Sequence, residues 1–260
     1  MAPGFRTLWI SDVHLGTRAS RAAELLEFLS AVRAERIYLV GDIVDIKCMG
    51  PRPYWPEAHL GVLAEIVRLA GRGTEVIFVP GNHDHEFRSV AGRRICGIEV
   101  MPEAIHTTPQ GRKLLVTHGD VLDGRIRSGT NLEKFGATAY ALLQDANVLY
   151  NRLRARLGGD YLPISTAIKQ RLKSANEYIE RFETVAAHYA LERGFDGIVC
   201  GHIHRPGIRM IDGCLYANDG DWVEHRTALA EGHDGALQLI DWKRDAVDLE
   251  VLGPASPLAA

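Results

Sequence analysis

Leu8-Trp9-Ile10-Ser11-Asp12-Val13-His14 stands near the start of the chain, an apolar run that breaks into an Asp-x-His pair. The same event recurs downstream. Ile37–Val40 runs into Gly41-Asp42-Ile43-Val44-Asp45, and Val76–Val79 into Gly81-Asn82-His83-Asp84. Leu114–Val116 runs into Thr117-His118-Gly119-Asp120, and Ile198–Cys200 into Gly201-His202-Ile203-His204. Short, continuous apolar runs of this kind fit buried strands. Helical patterns separate the first three. Ala22, Leu25, Leu26, Leu29 and Val32 recur within Ala19–Arg33, and Leu60, Leu63, Ala64, Val67 and Ala70 form a second stripe, stopped by Gly71-Arg72-Gly73. This βαβαβ rhythm predicts an α/β fold with a parallel-rich sheet and ligands at the carboxyl ends of its strands. Carboxylates, an amide and imidazoles then gather at adjacent strand ends, as two neighbouring metal ions require.

From about Gly97 the pattern turns to short strands. These are expected at Ile98–Met101, Ala104–Thr108, Lys113–Thr117, Gly197–Cys200, Gly207–Ile211, Cys214–Asn218, Trp222–Ala230, Ala236–Asp241 and Val247–Val251. Asp212-Gly213 reads as a two-residue hairpin turn. Between His118 and His202 the pattern is helical from about 125 to 193, interrupted at Gly158-Gly159. Ile168, Leu172, Ala175, Ile179, Phe182, Ala186 and Tyr189 step by four and three alternately, as in a helix packed on another helix. The expected organisation is one domain over 1–252, with a helical insertion over about 125–193 and a disordered tail over 253–260.

Composition narrows the function classes. The chain has 260 residues, 46% hydrophobic and 24% charged, which is ordinary for a globular protein. A net charge of -3 gives no general bias towards nucleic acid, and none is expected as a partner. No apolar run reaches the roughly 20 residues of a membrane span. Cys48, Cys96, Cys200 and Cys214 lack CxxC spacing, and Cys200 and Cys214 sit in strand-like runs. Buried thiols and a reducing, cytoplasmic compartment are expected. Charge is uneven, however. Asp123–Lys173 carries nine basic against four acidic residues, a net +5 that leaves -8 elsewhere.

The residue types suit metal chemistry. Asp and Asn oxygens with several imidazoles and no thiolate favour Mn, Fe, Zn or Mg. Asp12 and His14 are expected on the same side of an extended segment, because side chains alternate with period two, and His202 and His204 repeat the spacing. Glycines 41, 81, 119 and 201 allow tight turns at the strand ends. Asp45 reads either as a hydrogen-bonding partner behind the ligands or as a loop-stabilising residue. His59, His106, His188, His225 and His233 read as surface or packing histidines, and His85 is open. Pro53-Tyr54-Trp55-Pro56 reads as a packed loop or a substrate entrance.

In order along the chain, DVH, GDIVD, GNHD, HGD and GHIH resemble the calcineurin-like metallophosphoesterase family over about Ile10 to His204. The resemblance implies two packed mixed β-sheets flanked by helices, here with the helical insertion capping the metal site. It implies two divalent ions, Mn2+ first among them. Asp12, His14, Asp42 and His204 would bind one ion; Asp42, Asn82, His118 and His202 would bind the other. His83 would serve as the catalytic imidazole, oriented by Asp84. Two divalent ions, two carboxylates and a hydroxide would leave a charge of about +1 to meet a phosphate diester and its transition state.

Within that family the long insertion, and Asn218-Asp219-Gly220-Asp221-Trp222-Val223, resemble the UDP-2,3-diacylglucosamine pyrophosphatases of the lipid A pathway. That group implies hydrolysis of a nucleotide-sugar lipid to UMP and a sugar 1-phosphate by metal-hydroxide attack, with peripheral contact at the inner membrane surface. Lys169, Lys173 and Asn176 share one helical face and, with Arg125, are the expected substrate contacts. The chain departs from the group at His83-Asp84-His85-Glu86-Phe87, where its best-known members carry Arg in place of His83. Another phosphodiesterase or phosphatase of the family, or a non-catalytic scaffold, are the alternatives.

Overall fold

The computed structural model describes residues 4–49, 53–127 and 166–242, without the side chains of 127 and 166–174. Most of the insertion, the strand expected at Val247–Val251 and the tail 253–260 lie outside the described residues. The described strands are β1 (Gly4–Ile10), β2 (Arg33–Leu39), β3 (Glu75–Phe78), β4 (Arg94–Ile95), β5 (Ile98–Val100), β6 (Ala104–Thr107), β7 (Lys113–Val116), β8 (Gly197–Cys200), β9 (Gly207–Ile211), β10 (Cys214–Asn218), β11 (Thr227–Glu231) and β12 (Leu237–Asp241). They form two mixed sheets, one ordered β12-β11-β1-β2-β3-β5-β4 and the other β6-β7-β8-β10-β9. β1, β2, β3 and β5 run parallel, as do β7, β8 and β10. The expected α/β class is the observed one.

Strand alternation makes two cores from one sheet. Leu8, Ile10, Ile37, Leu39, Val76 and Phe78 pack with Leu25, Phe28 and Leu29 of helix α1 (Ala22–Ala31) and with Val62 and Ile66 of helix α2 (Glu57–Gly71). The residues between them, Trp9, Tyr38, Val40, Ile77 and Val79, turn to the other face and meet Leu114, Val116, Val199, Leu215 and Ala217 of the second sheet. With both faces buried, these strands carry no polar alternation, so they appear in the sequence as unbroken apolar runs. Each such aliphatic side chain, fully buried, contributes about 1.5–3 kcal/mol before the entropy of ordering is subtracted.

Three expected elements differ in detail. Helix α1 ends at Ala31, and Val32 is already extended, because β2 pairs with β1 from Gly4↔Arg33 through Ile10↔Leu39. The ladder thus claims polar Arg33–Arg36. The fully buried residues of α2 are His59, Val62 and Ile66; of the expected stripe Leu63 and Ala70 pack partly buried against the same core, while Leu60 is 60% exposed. His59 sets that rotation, since its Nδ1 accepts the Gly16 amide at 2.9 Å. The strand expected over Trp222–Ala230 begins only at Thr227. Before it, Asp221 Oδ1 accepts the amides of Val223, Glu224 and His225 and curls the chain.

The chain divides into two compact units, Met1–Asp120 with Ala186–Ala260, and Val121–Val185. Within the second, Tyr178 donates to Asp123 Oδ1 at 2.8 Å. Among the described residues no helix is long and apolar enough to cross a membrane. Cys200 and Cys214 are buried thiols, as expected, whereas Cys48 and Cys96 are exposed.

Candidate metal centre

All seven expected ligands lie at carboxyl ends of parallel strands in the larger unit. β1 leads to Asp12 and His14, β2 to Asp42, β3 to Asn82, β7 to His118, and β8 to His202 and His204. The two sheets therefore share the cluster. Asp12, His14 and His204 offer ligand atoms all within 4.8 Å of one another, as do Asp12, Asp42 and His118. His204 Nε2 is 3.1 Å from Asp12 Oδ1, and His118 Nε2 is 3.3 Å from Asp42 Oδ2. Asn82 Oδ1 lies 3.3 Å from His118 Nε2, and the His118 and His202 rings meet edge-on with centroids 5.1 Å apart.

The backbone reaches this arrangement differently from the expected extended segments. Asp12, His14, Asp42, His202 and His204 have φ of 50°, 51°, 53°, 71° and 51°. Each is a left-handed residue, a conformation that costs on the order of 1–3 kcal/mol and clusters at functional sites. Period-two alternation along an extended chain is thus not what aims Asp12 with His14 or His202 with His204. Amide bonds between strand ends hold the curl instead: Val13 and His14 both donate to Asp42 O, at 3.0 and 2.9 Å, and Leu15 donates to Ile43 O at 2.9 Å. Gly201 is required by proximity, not by its turn. A Cβ there would strike Ser11 Oγ and Asp12 Oδ2.

Hydrogen bonds behind the cluster leave particular atoms open. His118 Nδ1 donates to Val40 O at 2.8 Å, so Nε2 is the nitrogen left to face a metal. His14 Nδ1 donates to Asp45 Oδ2 at 3.0 Å, with the same consequence. The second oxygens of the two ligand carboxylates are occupied: Asp12 Oδ2 accepts the His202 amide at 2.9 Å, and Asp42 Oδ1 the His83 amide at 2.7 Å. His14 Nε2 is buried and makes no hydrogen bond among the described residues, and buried Asp12 Oδ1 has, besides its 3.1 Å ion pair with His204 Nε2, no partner in hydrogen-bond geometry. Buried polar atoms are rarely left so. Two open donors facing each other, in a set of carboxylates, amide and imidazoles, fit a divalent cation.

Electrostatics point the same way. Burial would raise the Asp12 and Asp42 carboxyls, but His204 and His118 beside them outweigh it and hold both well below the usual range. Burial likewise opposes a charge on His204, yet Asp12 raises its imidazole to about 9; Asp42 raises His118 well above its usual value. The cluster concentrates negative charge and draws positive charge to it. Ser11 adds a further link. Its Oγ lies 2.6 Å from Asp12 Oδ2 and 2.7 Å from Asp219 Oδ1. One hydroxyl hydrogen serves one of these, and burial holds the Asp219 carboxyl well above its normal range.

His83 sits at the edge, with Nε2 4.0 Å from Asp42 Oδ2. Its orientation comes from Asp45, whose Oδ1 accepts from His83 Nδ1 at 2.9 Å, and not from Asp84 as expected. The Asp84 carboxylate is turned to backbone amides, accepting Gly81 N at 2.7 Å and Ile43 N at 2.8 Å, with Asp42 and Val44 at 3.3 Å. Bound four ways to main chain, it has no direction left for a neighbouring ring. Asp45, open between two readings in the sequence, holds both His14 and His83, and Cys48 N besides at 3.0 Å.

His59 and His106 are buried, while His85, His188 and His233 are exposed and lie near carboxylates. Arg125 and Asn176 are exposed. Lys169 and Lys173 lie outside the residues whose side chains are described.

A family model for calcineurin-like phosphoesterases matches residues 5–206. The chain belongs to the calcineurin-like phosphoesterase family. Curated relatives include the UDP-2,3-diacylglucosamine hydrolase of Xanthomonas campestris pv. campestris (strain B100), 28% identical over 88% of this chain and 96% of its own length. The protein of that name from Edwardsiella ictaluri (strain 93-146) is also 28% identical, over 95% of each. Among solved structures, the E. coli phosphoesterase Yfce aligns over 96% of this chain and 98% of its own, at 15% identity and a TM-score of 0.47. This phosphoesterase is accordingly a metal-dependent phosphoester hydrolase.

Proposed function

We propose that the protein hydrolyses the pyrophosphate bond of a UDP-diacylglucosamine-like nucleotide-sugar lipid, releasing UMP and a lipid-bearing sugar 1-phosphate. The observation that carries the chemistry is the open pair Asp12 Oδ1 and His14 Nε2, inside a donor cluster shared by two sheets. The substrate class is supported by relatives of that name matching this chain over nearly their whole length.

In this reading Asp12, His14, Asp42 and His204 hold one divalent ion, and Asp42, Asn82, His118 and His202 the other, with Mn2+ the assigned metal. Bound there, two such ions supply Lewis-acid activation of water and neutralise charge on the phosphate. The chain's own groups do the rest. The Asp45 and Val40 bonds fix the tautomers of His14 and His118, so that both present Nε2 inward. Asp84 holds the loops that carry Asp42 and Asn82 through their amides. His83 is anchored at Nδ1, which leaves Nε2 free to carry a proton to the leaving group or to hold a phosphate oxygen; such a step is worth about 10²–10⁴-fold. We assign the insertion as the cap over the acyl chains, with Arg125, Lys169, Lys173 and Asn176 as substrate contacts and a cytoplasmic membrane surface as its setting.

The run His83-Asp84-His85-Glu86-Phe87 favours a second reading, a phosphodiesterase or phosphatase acting on another nucleotide or lipid-like ester. One panel separates them: purified protein with Mn2+ against UDP-2,3-diacylglucosamine, UDP-sugars and cyclic nucleotides. Preferred turnover of the lipid, with UMP as product, supports the first. Preferred turnover of a non-lipid ester selects the second, and no Mn2+ binding with no turnover selects a scaffold.

A further inference from the structure

One residue of the recurring motifs has no task in the chemistry above. Asp120 closes Thr117-His118-Gly119-Asp120, two positions beyond His118, yet its carboxylate is paired outside the ligand cluster. Its partner is Arg88, in the 3-10 helix His85–Val90 that follows His83 and Asp84. Arg88 Nη2 donates to Asp120 Oδ1 and Oδ2, both at 2.8 Å, and to Pro80 O at 3.0 Å. Pro80 stands two positions before Asn82.

One guanidinium nitrogen thus ties the approach to Asn82 to the departure from His118. Those two residues come from different sheets, Asn82 after β3 and His118 after β7. The strand ladders cannot fix their separation, because no hydrogen-bonded pairing joins β3 to β7. Their ligand atoms nevertheless stand 3.3 Å apart. The Arg88–Asp120 pair crosses the same gap. The two side chains are 35% and 13% exposed, so water screens this pair less than an ion pair on the open surface.

We propose that Arg88 and Asp120 are positioning residues that set the distance between Asn82 and His118, and so tune the affinity of one metal position while leaving the other alone. The proposal rests on the two-metal reading. The position held by Asn82 and His118 depends on the latch. The position held by Asp12, His14 and His204 does not, because their strand ends are joined by the amide bonds of Val13, His14 and Leu15 and by the bond from His202 N to Asp12.

The test is calorimetric titration of the full-length protein with Mn2+, alongside electron paramagnetic resonance of the coupled ion pair and thermal melting of the metal-free form. Wild type binds two ions. In Arg88→Ala and in Asp120→Asn, one ion binds about 10–100-fold more weakly, the usual range for loss of an outer-shell partner, while the other keeps its affinity. The spin-coupled signal falls with the weaker ion. Arg88→Lys recovers part of the loss, because an ammonium keeps the positive charge opposite Asp120 on a differently shaped side chain. Two unchanged affinities in Arg88→Ala overturn the proposal. So does equal weakening of both ions in step with a lowered melting point, which marks a merely structural pair. A wild type that takes up no Mn2+ removes the two-metal reading itself, and the latch with it.

Discussion

Asp45→Asn is the substitution whose outcome the geometry specifies most narrowly. The Asp45 carboxylate accepts from three donors: His14 Nδ1 at Oδ2, and His83 Nδ1 and Cys48 N at Oδ1. Burial would raise its pKa, but the bonds from His14 and His83 outweigh burial and hold it far below the carboxylate range. A carboxamide has one accepting oxygen and one donating NH2. Placed where Oδ1 was, the amide oxygen keeps two donors, so that orientation wins. The NH2 then faces His14 Nδ1, and the imidazole must move its proton to Nε2 to accept. Nε2–H cannot ligate a metal. Losing one hydrogen bond to a charged group costs about 1.5–3 kcal/mol, or roughly 10–150-fold in affinity. Calorimetric titration with Mn2+ should therefore show one of two ions weakened by about 10–100-fold. Asp45→Ala removes the anchor of His83 as well and should also lower turnover of bis-p-nitrophenyl phosphate at saturating Mn2+. Unchanged Mn2+ affinity in Asp45→Asn would refute the tautomer argument, since the amide cannot satisfy both imidazoles as they stand.

Gly201→Ala should force apart two buried strand ends, because the added methyl meets Ser11 and Asp12, which are 1% and 0% exposed. Overpacking of this kind costs about 1–3 kcal/mol, a fall of several degrees in melting temperature, and Mn2+ affinity should drop with it. An unchanged melt and affinity would show that this gap closes without strain. Away from the site, Glu231 accepts from Arg6 at 2.5 Å, from Thr7 at 3.1 Å and from His106 at 3.1 Å. Burial would raise the Glu231 carboxyl, but His106 and Arg6 outweigh it and lower its pKa from 4.5. A carboxyl lowered on folding stabilises the fold above its unfolded value, and that contribution is lost as pH falls through the folded one. Glu231→Gln should thus be less stable by about 1.5–3 kcal/mol near neutral pH in urea denaturation, with the gap closing as the pH drops below about 4.5. A gap that is constant across acid pH would contradict the charge argument.

Much of the fold was legible because burial on both faces leaves a plain signature. Leu8–Ile10, Ile37–Val40 and Val76–Val79 are apolar throughout because alternate residues serve different cores. The candidate ligands were legible because each such run stops at a carboxylate, amide or imidazole. What sequence could not carry was conformation and pairing over distance. Asp12 and His14 look extended by spacing, whereas their left-handed backbone is imposed by amides bonded to Asp42, some thirty residues on. Apolar periodicity places Leu60 on the inner face of α2, yet polar His59 takes the burial because it meets Gly16 N. Adjacency points to Asp84 as the partner of His83, yet backbone amides claim it and Asp45 takes the ring. Likewise nothing in the spacing of Arg88 and Asp120, 32 positions apart, announces their pair.

The proposed two-metal site is tested most directly at Asp42, the residue assigned to both metal positions. Turnover of bis-p-nitrophenyl phosphate should be measured for wild type and Asp42→Ala across a Mn2+ titration. A shared two-metal site gives Mn2+-dependent activity in wild type that falls to background in the variant, even at saturating metal. Full activity in Asp42→Ala would contradict it.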